Sequence, residues 1–236
     1  MQVIEIKYSF NLDNIMLFLQ PIMDLSNNAV WSYECLARLL TLDHNRYLPT
    51  KFLFLFERQQ SVAQLTQTVF SRSASYLRDI NMAWNINLSL SDMTDSGTHK
   101  LLQYQFSDYP SPRRISIEIT AQNILSESAK FRRFAEICHT LGINILIDDF
   151  DQRESDLQAI RTLPIPAIIV SATLFDPMGN DVTTENFIKG LISSAVNNKI
   201  VMVAERIDRQ EVLEMVKQLV SNRPKGIILV NLRQKS

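Results

Sequence analysis

Acidic and amide side chains stand at the ends of several short apolar runs in this sequence of 236 residues. The set comprises Glu34, Asn87, Glu118, Asp148, Asp149 and Glu205. Carboxylates that share one edge of a sheet repel one another, and a hard divalent cation such as Mg²⁺ or Mn²⁺ relieves that repulsion. Two such ions can hold the attacking and leaving oxygens of a phosphodiester. The pattern therefore predicts a metal site suited to phosphodiester cleavage.

Each of these residues also has a structural interpretation that involves no ligand. An Asp that follows a strand often caps the next helix, and a Glu at a strand end is often paired with a cation or solvated. The residue types alone leave both interpretations open. The choice between a metal site and a structural role depends on whether the strands bring these side chains together.

The apolar runs predict eight strands with helices between most of them. The predicted strands cover residues 17–22, 30–36, 83–88, 114–119, 143–147, 167–170, 200–204 and 226–230. The predicted helices cover one or two segments within 49–79, a short segment at 100–105, a segment at 131–141 followed by Gly142, and segments at 156–162, 184–197 and 208–220. This alternation predicts an α/β fold, and eight strands favour a closed βα barrel.

The beginning and the end of the sequence depart from a regular βα repeat. Only seven residues separate the first two strands, which is too few for a parallel crossover, so we expect an antiparallel hairpin that turns at Ser26, Asn27 and Asn28. No helix is predicted after residues 226–230, so we expect the C-terminal helix to be missing or truncated. We expect one domain over residues 1–236.

The composition excludes several classes of function. A net charge of −1 predicts neither direct nucleic-acid binding nor attachment to an anionic membrane. No apolar run is long enough to span a membrane, and Cys35 and Cys138 lie far apart, which favours a reduced, cytoplasmic protein. Three histidines argue against a zinc hydrolase, and five isolated glycines argue against a glycine-rich phosphate loop.

Six segments in chain order resemble motifs of the EAL domain family, the cyclic di-GMP phosphodiesterases. They are LQPI at 19–22 (family YQPI), YECLAR at 33–38 (YEALxR), INLS at 86–89 (VNLS), IEIT at 117–120 (LEIT), IDDF at 147–150 (LDDF) and VAE at 203–205 (the start of VAEGVE). The resemblance covers nearly the whole chain. It implies a modified TIM barrel whose first strand is antiparallel.

The resemblance also implies roles for individual residues. The metal ligands, for Mg²⁺ or Mn²⁺, would be Glu34, Asn87, Glu118, Asp148, Asp149 and Glu205. Gln20 and Arg38 would contact the cyclic dinucleotide, and Arg38 would do so through a phosphate oxygen.

The chain departs from the family at positions that matter for catalysis. Ile169 stands where the family has its catalytic lysine, so the catalytic set is incomplete, and Ser171 stands where the family has an aspartate. The loop at 149–156 lacks both family glycines, and Arg206 replaces a further glycine. A cation such as Arg206 or Lys225 near the rim could neutralise the acids in place of a metal.

Two functions of different classes fit these residues. We expect a catalytically impaired EAL-like regulatory protein that acts by binding a protein. The leading partner is the flagellar master transcription activator, whose capture would repress motility, as the resemblance to stand-alone family members of enteric bacteria implies. The alternative is a metal-dependent cyclic di-GMP phosphodiesterase or a receptor that binds cyclic di-GMP without hydrolysing it.

Overall fold

The computed structural model of the chain describes residue 6 and residues 11–150, 165–175, 182–207, 209–221 and 228–232. Its strands are β1 (Ile15–Asp24), β2 (Ala29–Leu40), β3 (Arg46–Tyr47), β4 (Ala83–Asn87), β5 (Ile115–Thr120), β6 (Asn144–Phe150), β7 (Ala167–Ser171), β8 (Val201–Ile207) and β9 (Ile228–Leu232). Its helices are α1 (Pro49–Arg58), α2 (Val62–Leu77), α3 (Ser96–Phe106), α4 (Ala121–Ser126), α5 (Ser128–Leu141), α6 (Val182–Asn197) and α7 (Gln210–Ser221). The α/β class is therefore confirmed.

The strands close into a barrel. The hydrogen-bonded order is β1-β9-β8-β7-β6-β5-β4-β2, the pairing of β1 with β2 closes the ring, and β3 continues the sheet beyond β2. Strand β1 is antiparallel to both β2 and β9, whereas the other neighbours in the ring are parallel. The predicted modified TIM barrel with an antiparallel first strand is confirmed.

The hairpin between β1 and β2 turns where the sequence predicts. The Asp24 carboxylate accepts a hydrogen bond of 2.9 Å from the Ser26 backbone N–H, and the Asn27 side chain accepts one of 2.9 Å from the Ala29 N–H. Asn28 adopts a φ of 54°, a left-handed conformation that Asn tolerates better than most residues. Short polar side chains thus stabilise the tight reversal that makes β1 antiparallel.

The barrel has an apolar interior that is separate from its outer core. Alternate residues of a strand face opposite sides of the sheet. On β7, Ile168 and Val170 belong to the large core beneath the helices, whereas Ile169 packs in a second cluster. That inner cluster consists of Ile22, Leu146, Ala167, Ile169 and Val203, with Trp31 and Val201 packed against it. Bulky side chains therefore fill the barrel below its mouth.

Helix α5 shows how an outer helix is fixed to the barrel. Phe131, Phe134 and Cys138 recur along one face and are buried. Gly142 ends the helix with a φ of 75°, and its N–H donates to the His139 carbonyl at 3.0 Å. The helix therefore ends at the glycine that follows the predicted helical segment, in the left-handed conformation that glycine adopts most readily.

Residues 49–79, for which the sequence allows one or two helices, form two, because the chain reverses at Gln60 with a φ of 53°. Other elements differ from the sequence-based expectation. Two helices, α4 and α5, follow β5, and the two-residue strand β3 is too short for a periodicity signal. The predicted helix at 156–162, Lys225 and the segment after residue 232 lie outside the described residues, so the missing final helix and the single domain stay predictions.

We expect Phe106→Ala to lower the free energy of unfolding by about 3–5 kcal/mol, because it empties a buried aromatic site. The Phe106 ring packs against Phe70 and Tyr109 with centroid distances of 5.2 and 5.1 Å. Urea unfolding followed by circular dichroism measures the change. Tyr104→Ala on the same helix is the control, because Tyr104 is 86% exposed. Equal stability of the two variants would contradict this packing.

Candidate metal centre and ligand cleft

The strand register brings the predicted site residues to one mouth of the barrel. Glu34 lies beside Asn85 on β4, Asn87 beside Glu118 on β5, and Thr120 of β5 beside Asp148. These strands are parallel, so their carboxyl ends open on the same side. Glu205 lies on β8 beside Ser171 of β7, at the same end of the barrel.

Three of these carboxylates converge closely. One oxygen from each of Asp148, Asp149 and Glu205 lies within 4.8 Å of the others. Glu34 lies on the opposite wall, where its Oε1 accepts a 3.0 Å hydrogen bond from the Asn87 amide. The arrangement therefore has two parts, a triad of acids on β6 and β8 and a Glu–Asn pair on β2 and β4.

Glu118 is held in the barrel interior by a polar relay that the sequence analysis missed. The Ser32 hydroxyl donates a 2.6 Å hydrogen bond to Asn85 Oδ1, and the Asn85 amide donates to Glu118 Oε1. Asn85 is fully buried, and Ser32 and Glu118 are nearly so. Asn85 precedes Asn87 by two residues, and this period-two spacing was the available signal for a second inward amide.

Burial and mutual repulsion raise the pKa values of the acids. Burial raises the pKa of Glu205 to about 7, with Asp148 as the next contributor. Burial likewise raises the pKa of Asp148 to about 6, although the Asp149 N–H opposes this by donating to its carboxylate at 2.7 Å. The pKa of Glu118 lies well above its usual range because of burial and the charges of Glu34 and Asp148. A cation at this mouth would favour the ionised forms.

Arg206 supplies one such cation. Its Nε lies 3.0 Å from Glu205 Oε1 as an ion pair without hydrogen-bond geometry, and its Nη2 donates to Asp149 Oδ1 at 3.3 Å. Arg206 therefore contacts two members of the acidic triad. This placement fits the expectation that an arginine in place of the family glycine can neutralise the rim.

Gln20 and Arg38 line the mouth on the β1–β2 side. Gln20 lies opposite Glu34 in the antiparallel register, and Arg38 lies on the same face of β2 as Glu34. The Arg38 guanidinium is 5.5 Å from the centre of the Phe18 ring, and burial lowers its pKa. Arg46 lies at the same distance from that ring. Phe18 and Arg46 were not predicted, because only the β2–β3 hairpin brings them together.

Ile169 occupies the position that the resemblance assigns to a lysine. Its side chain is 4% exposed and packs with Leu146 and Val203 below the acids. Ser171, two residues further along β7, reaches the level of Glu205. A buried apolar side chain on β7 therefore occupies the position where the resemblance implies an ammonium group.

The donor set fits a hard divalent cation. Carboxylate oxygens are the ligands that Mg²⁺ and Mn²⁺ prefer, and Asp148, Asp149 and Glu205 present three of them at short range. When bound there, such an ion would polarise a phosphodiester and lower the pKa of a bound water. The ligand roles of all six residues stay predictions, as do the nucleotide contacts of Gln20 and Arg38.

Comparison with known proteins identifies related sequences and folds. A family model described as EAL domain matches residues 5–226. The bifunctional diguanylate cyclase/cyclic di-GMP phosphodiesterase MucR of Pseudomonas aeruginosa is 22% identical over 91% of the chain and 32% of that protein. The probable cyclic di-GMP phosphodiesterase PdeN of Escherichia coli is 23% identical over 81% of the chain and 38% of that protein. The chain thus spans about a third of the length of these relatives.

A solved structure shows the same architecture. The FimX EAL domain from Pseudomonas aeruginosa bound to c-di-GMP superposes with a TM-score of 0.80 at 19% identity, over 97% of this chain and 92% of that one. At this level of identity the likeness supports the fold. Among the helices of the described residues, none has the length and apolar character needed to cross a membrane.

We expect the free energy of unfolding, measured without divalent cations, to fall as the pH rises from about 4 to about 7. An acid whose folded pKa lies above its unfolded value binds its proton more tightly in the folded state, so deprotonation destabilises the fold. With Asp148 and Glu205 raised to about 6 and about 7, the loss is on the order of 2–3 kcal/mol for each of the two groups. Urea unfolding at successive pH values measures it.

Glu205→Gln should reduce this pH dependence, because it removes one of the raised carboxyls. Glu211→Gln on α7 is the matched control, since Glu211 is exposed. A stability that is flat or rises over this pH range would contradict the electrostatics described for the mouth.

Proposed function

The chain belongs to the EAL domain family, and on that premise we propose that it is a catalytically impaired member that acts in the cytoplasm by binding a protein partner. The observation that carries this proposal is the apolar surroundings of Ile169. The family resemblance assigns this position to a lysine that serves the attacking water.

A branched alkyl group cannot replace that lysine. It has neither a proton to exchange nor a charge to orient water, and general acid–base assistance is worth roughly 10²–10⁴ in rate. Ile169 also packs among Leu146, Ala167 and Val203, so its surroundings are apolar. Ser171 and Arg206 lie near the rim, but an arginine stays protonated and cannot act as a base.

The retained carboxylates are compatible with a protein that does not hydrolyse its ligand. Asn85 donates to Glu118, Asn87 to Glu34, and Arg206 to Asp149. These partners give the acids a structural role within the barrel. The finer proposal, that the partner is the flagellar master transcription activator and that binding represses motility, rests on the sequence resemblance to stand-alone family members.

A second candidate is a receptor for cyclic di-GMP, or a phosphodiesterase with residual activity. The observation that favours it is the cleft wall of β1 and β2, where Gln20 and Arg38 lie on one face with Glu34. The chain's relatives MucR and PdeN carry cyclic di-GMP phosphodiesterase in their names. An arginine at a cleft mouth suits a phosphate oxygen.

We expect no linear dinucleotide when the purified protein is incubated with cyclic di-GMP and Mg²⁺ or Mn²⁺. Chromatographic separation of the products measures this, with an active phosphodiesterase of the family as the positive control. Hydrolysis at an appreciable rate that is lost in Glu34→Ala would overturn the proposal of catalytic impairment and support the enzyme.

We expect the purified protein to bind the flagellar master activator and to release it from its DNA site. Electrophoretic mobility shift with labelled DNA measures the release, and calorimetry measures direct binding. A parallel calorimetric titration with cyclic di-GMP, with Arg38→Ala as its control, tests the receptor. Binding of the nucleotide without binding of the activator would favour the second candidate and reject the first.

A further inference from the structure

We propose that Arg206 is a built-in counter-ion for the acidic triad, so that a divalent cation must displace its guanidinium to bind Asp149 and Glu205. This inference deepens the proposed function, because it explains how the mouth of an impaired family member can keep its acids without depending on a metal. Arg206 stands where the motif of the family has a glycine.

The first support is the position of the guanidinium. Arg206 Nε lies 3.0 Å from Glu205 Oε1, and Arg206 Nη2 lies 3.3 Å from Asp149 Oδ1. These two carboxylates and Asp148 form the triad whose oxygens approach within 4.8 Å. The guanidinium therefore touches two of the three groups that a cation would use.

The second support is the backbone conformation at Arg206, which allows the guanidinium to make these contacts. In a regular strand Arg206 would face away from Glu205, because neighbouring residues alternate. The register between β8 and β9 shifts between Glu205 and Ile207, and Arg206 adopts a φ of 61°. A bulge of this kind re-aims a side chain. Here it allows Arg206 to reach back to the mouth.

A matching irregularity positions Asp149. The register between β6 and β7 shifts between Ile147 and Phe150, and Asp149 adopts a φ of 48°. Both partners of the ion pair therefore sit at register shifts, on two strands that flank β7. The left-handed conformation costs a non-glycine residue strain that glycine avoids, and both Arg206 and Asp149 adopt it.

Competition follows from the charges. A guanidinium and a divalent ion cannot both occupy the space between Asp149 and Glu205, and a fixed positive charge beside the site repels the arriving ion. The ion pair itself is half-exposed, so it is displaceable rather than permanent. Arg206 thus sets the concentration of divalent cation that the mouth requires.

The test is a titration of the EDTA-treated protein with Mn²⁺, in which the electron paramagnetic resonance signal of aqueous Mn²⁺ reports the free ion. Arg206→Gln removes the charge and keeps most of the side-chain length, and Arg206→Gly restores the family residue. We expect both variants to bind Mn²⁺ at least about tenfold more tightly than the wild-type protein. Adding Asp149→Asn to Arg206→Gln should abolish the gain.

Lys199→Gly is the matched control. Lys199 is also an exposed cation with a left-handed backbone, at a φ of 58°, but it lies in the turn before β8, away from the triad. Its replacement should leave the Mn²⁺ affinity unchanged. An Arg206→Gln affinity equal to that of the wild type, or an equal gain in Lys199→Gly, would overturn the proposal.

The titration contains no nucleotide and no protein partner, so its result is independent of the proposed function. Hydrolysis of cyclic di-GMP would reject catalytic impairment while leaving the Mn²⁺ comparison intact. Conversely, equal Mn²⁺ affinities would reject the role of Arg206 and leave the effect of Ile169 on catalysis in place.

Discussion

The mouth of this barrel must accommodate five carboxyl groups in a space that excludes much of the solvent. Their mutual repulsion and burial raise the pKa values of Glu118, Asp148 and Glu205. Such a concentration of charge is stable only when protons, hydrogen-bond donors or cations compensate it. The rest of the site follows from how the chain supplies that compensation.

The compensation comes from two kinds of group, amides and a guanidinium, on different sides of the mouth. Asn85 and Asn87 donate to Glu118 and Glu34 on the β4 side. Arg206 contacts Glu205 and Asp149 on the β8 side. In a protein that relies on metal ions for this purpose, catalysis and charge compensation are coupled. Here the protein's own hydrogen-bond donors and Arg206 compensate the charge of the carboxylates. The carboxylates can therefore persist in a protein that does not use them for catalysis.

The apolar interior of the barrel reinforces this separation. Ile169 belongs to the inner cluster that fills the barrel, two residues before Ser171, which lies beside Glu205 at the mouth. A buried ammonium there would add a charge that the acids could balance, whereas isoleucine adds packing. The chain shares the scaffold of the EAL domain family, and the proposal of impaired catalysis rests on the isoleucine at this position.

Much of the architecture was predictable from local patterns. Alternating apolar runs and helical periodicity indicate the α/β barrel, and the short loop between the first two runs requires the antiparallel hairpin that β1 and β2 form. The position of the carboxylates at one mouth was also predictable, because the carboxyl ends of parallel strands lie at the same end of a barrel. Strand β3 was not, because a two-residue strand leaves no periodic signal. The sequence allowed either one or two helices over residues 49–79, and the left-handed Gln60 decides for two.

What the sequence by itself determined is the scaffold, the identity of the acids and the presence of isoleucine at position 169, because each depends on residue type and spacing along the chain. Only the tertiary structure decided which groups meet. The Ser32–Asn85–Glu118 relay joins three strands, and the contact of Arg206 with Asp149 joins two register shifts on strands separated by β7. Such contacts depend on register and on local departures from strand geometry, which arise when the barrel closes.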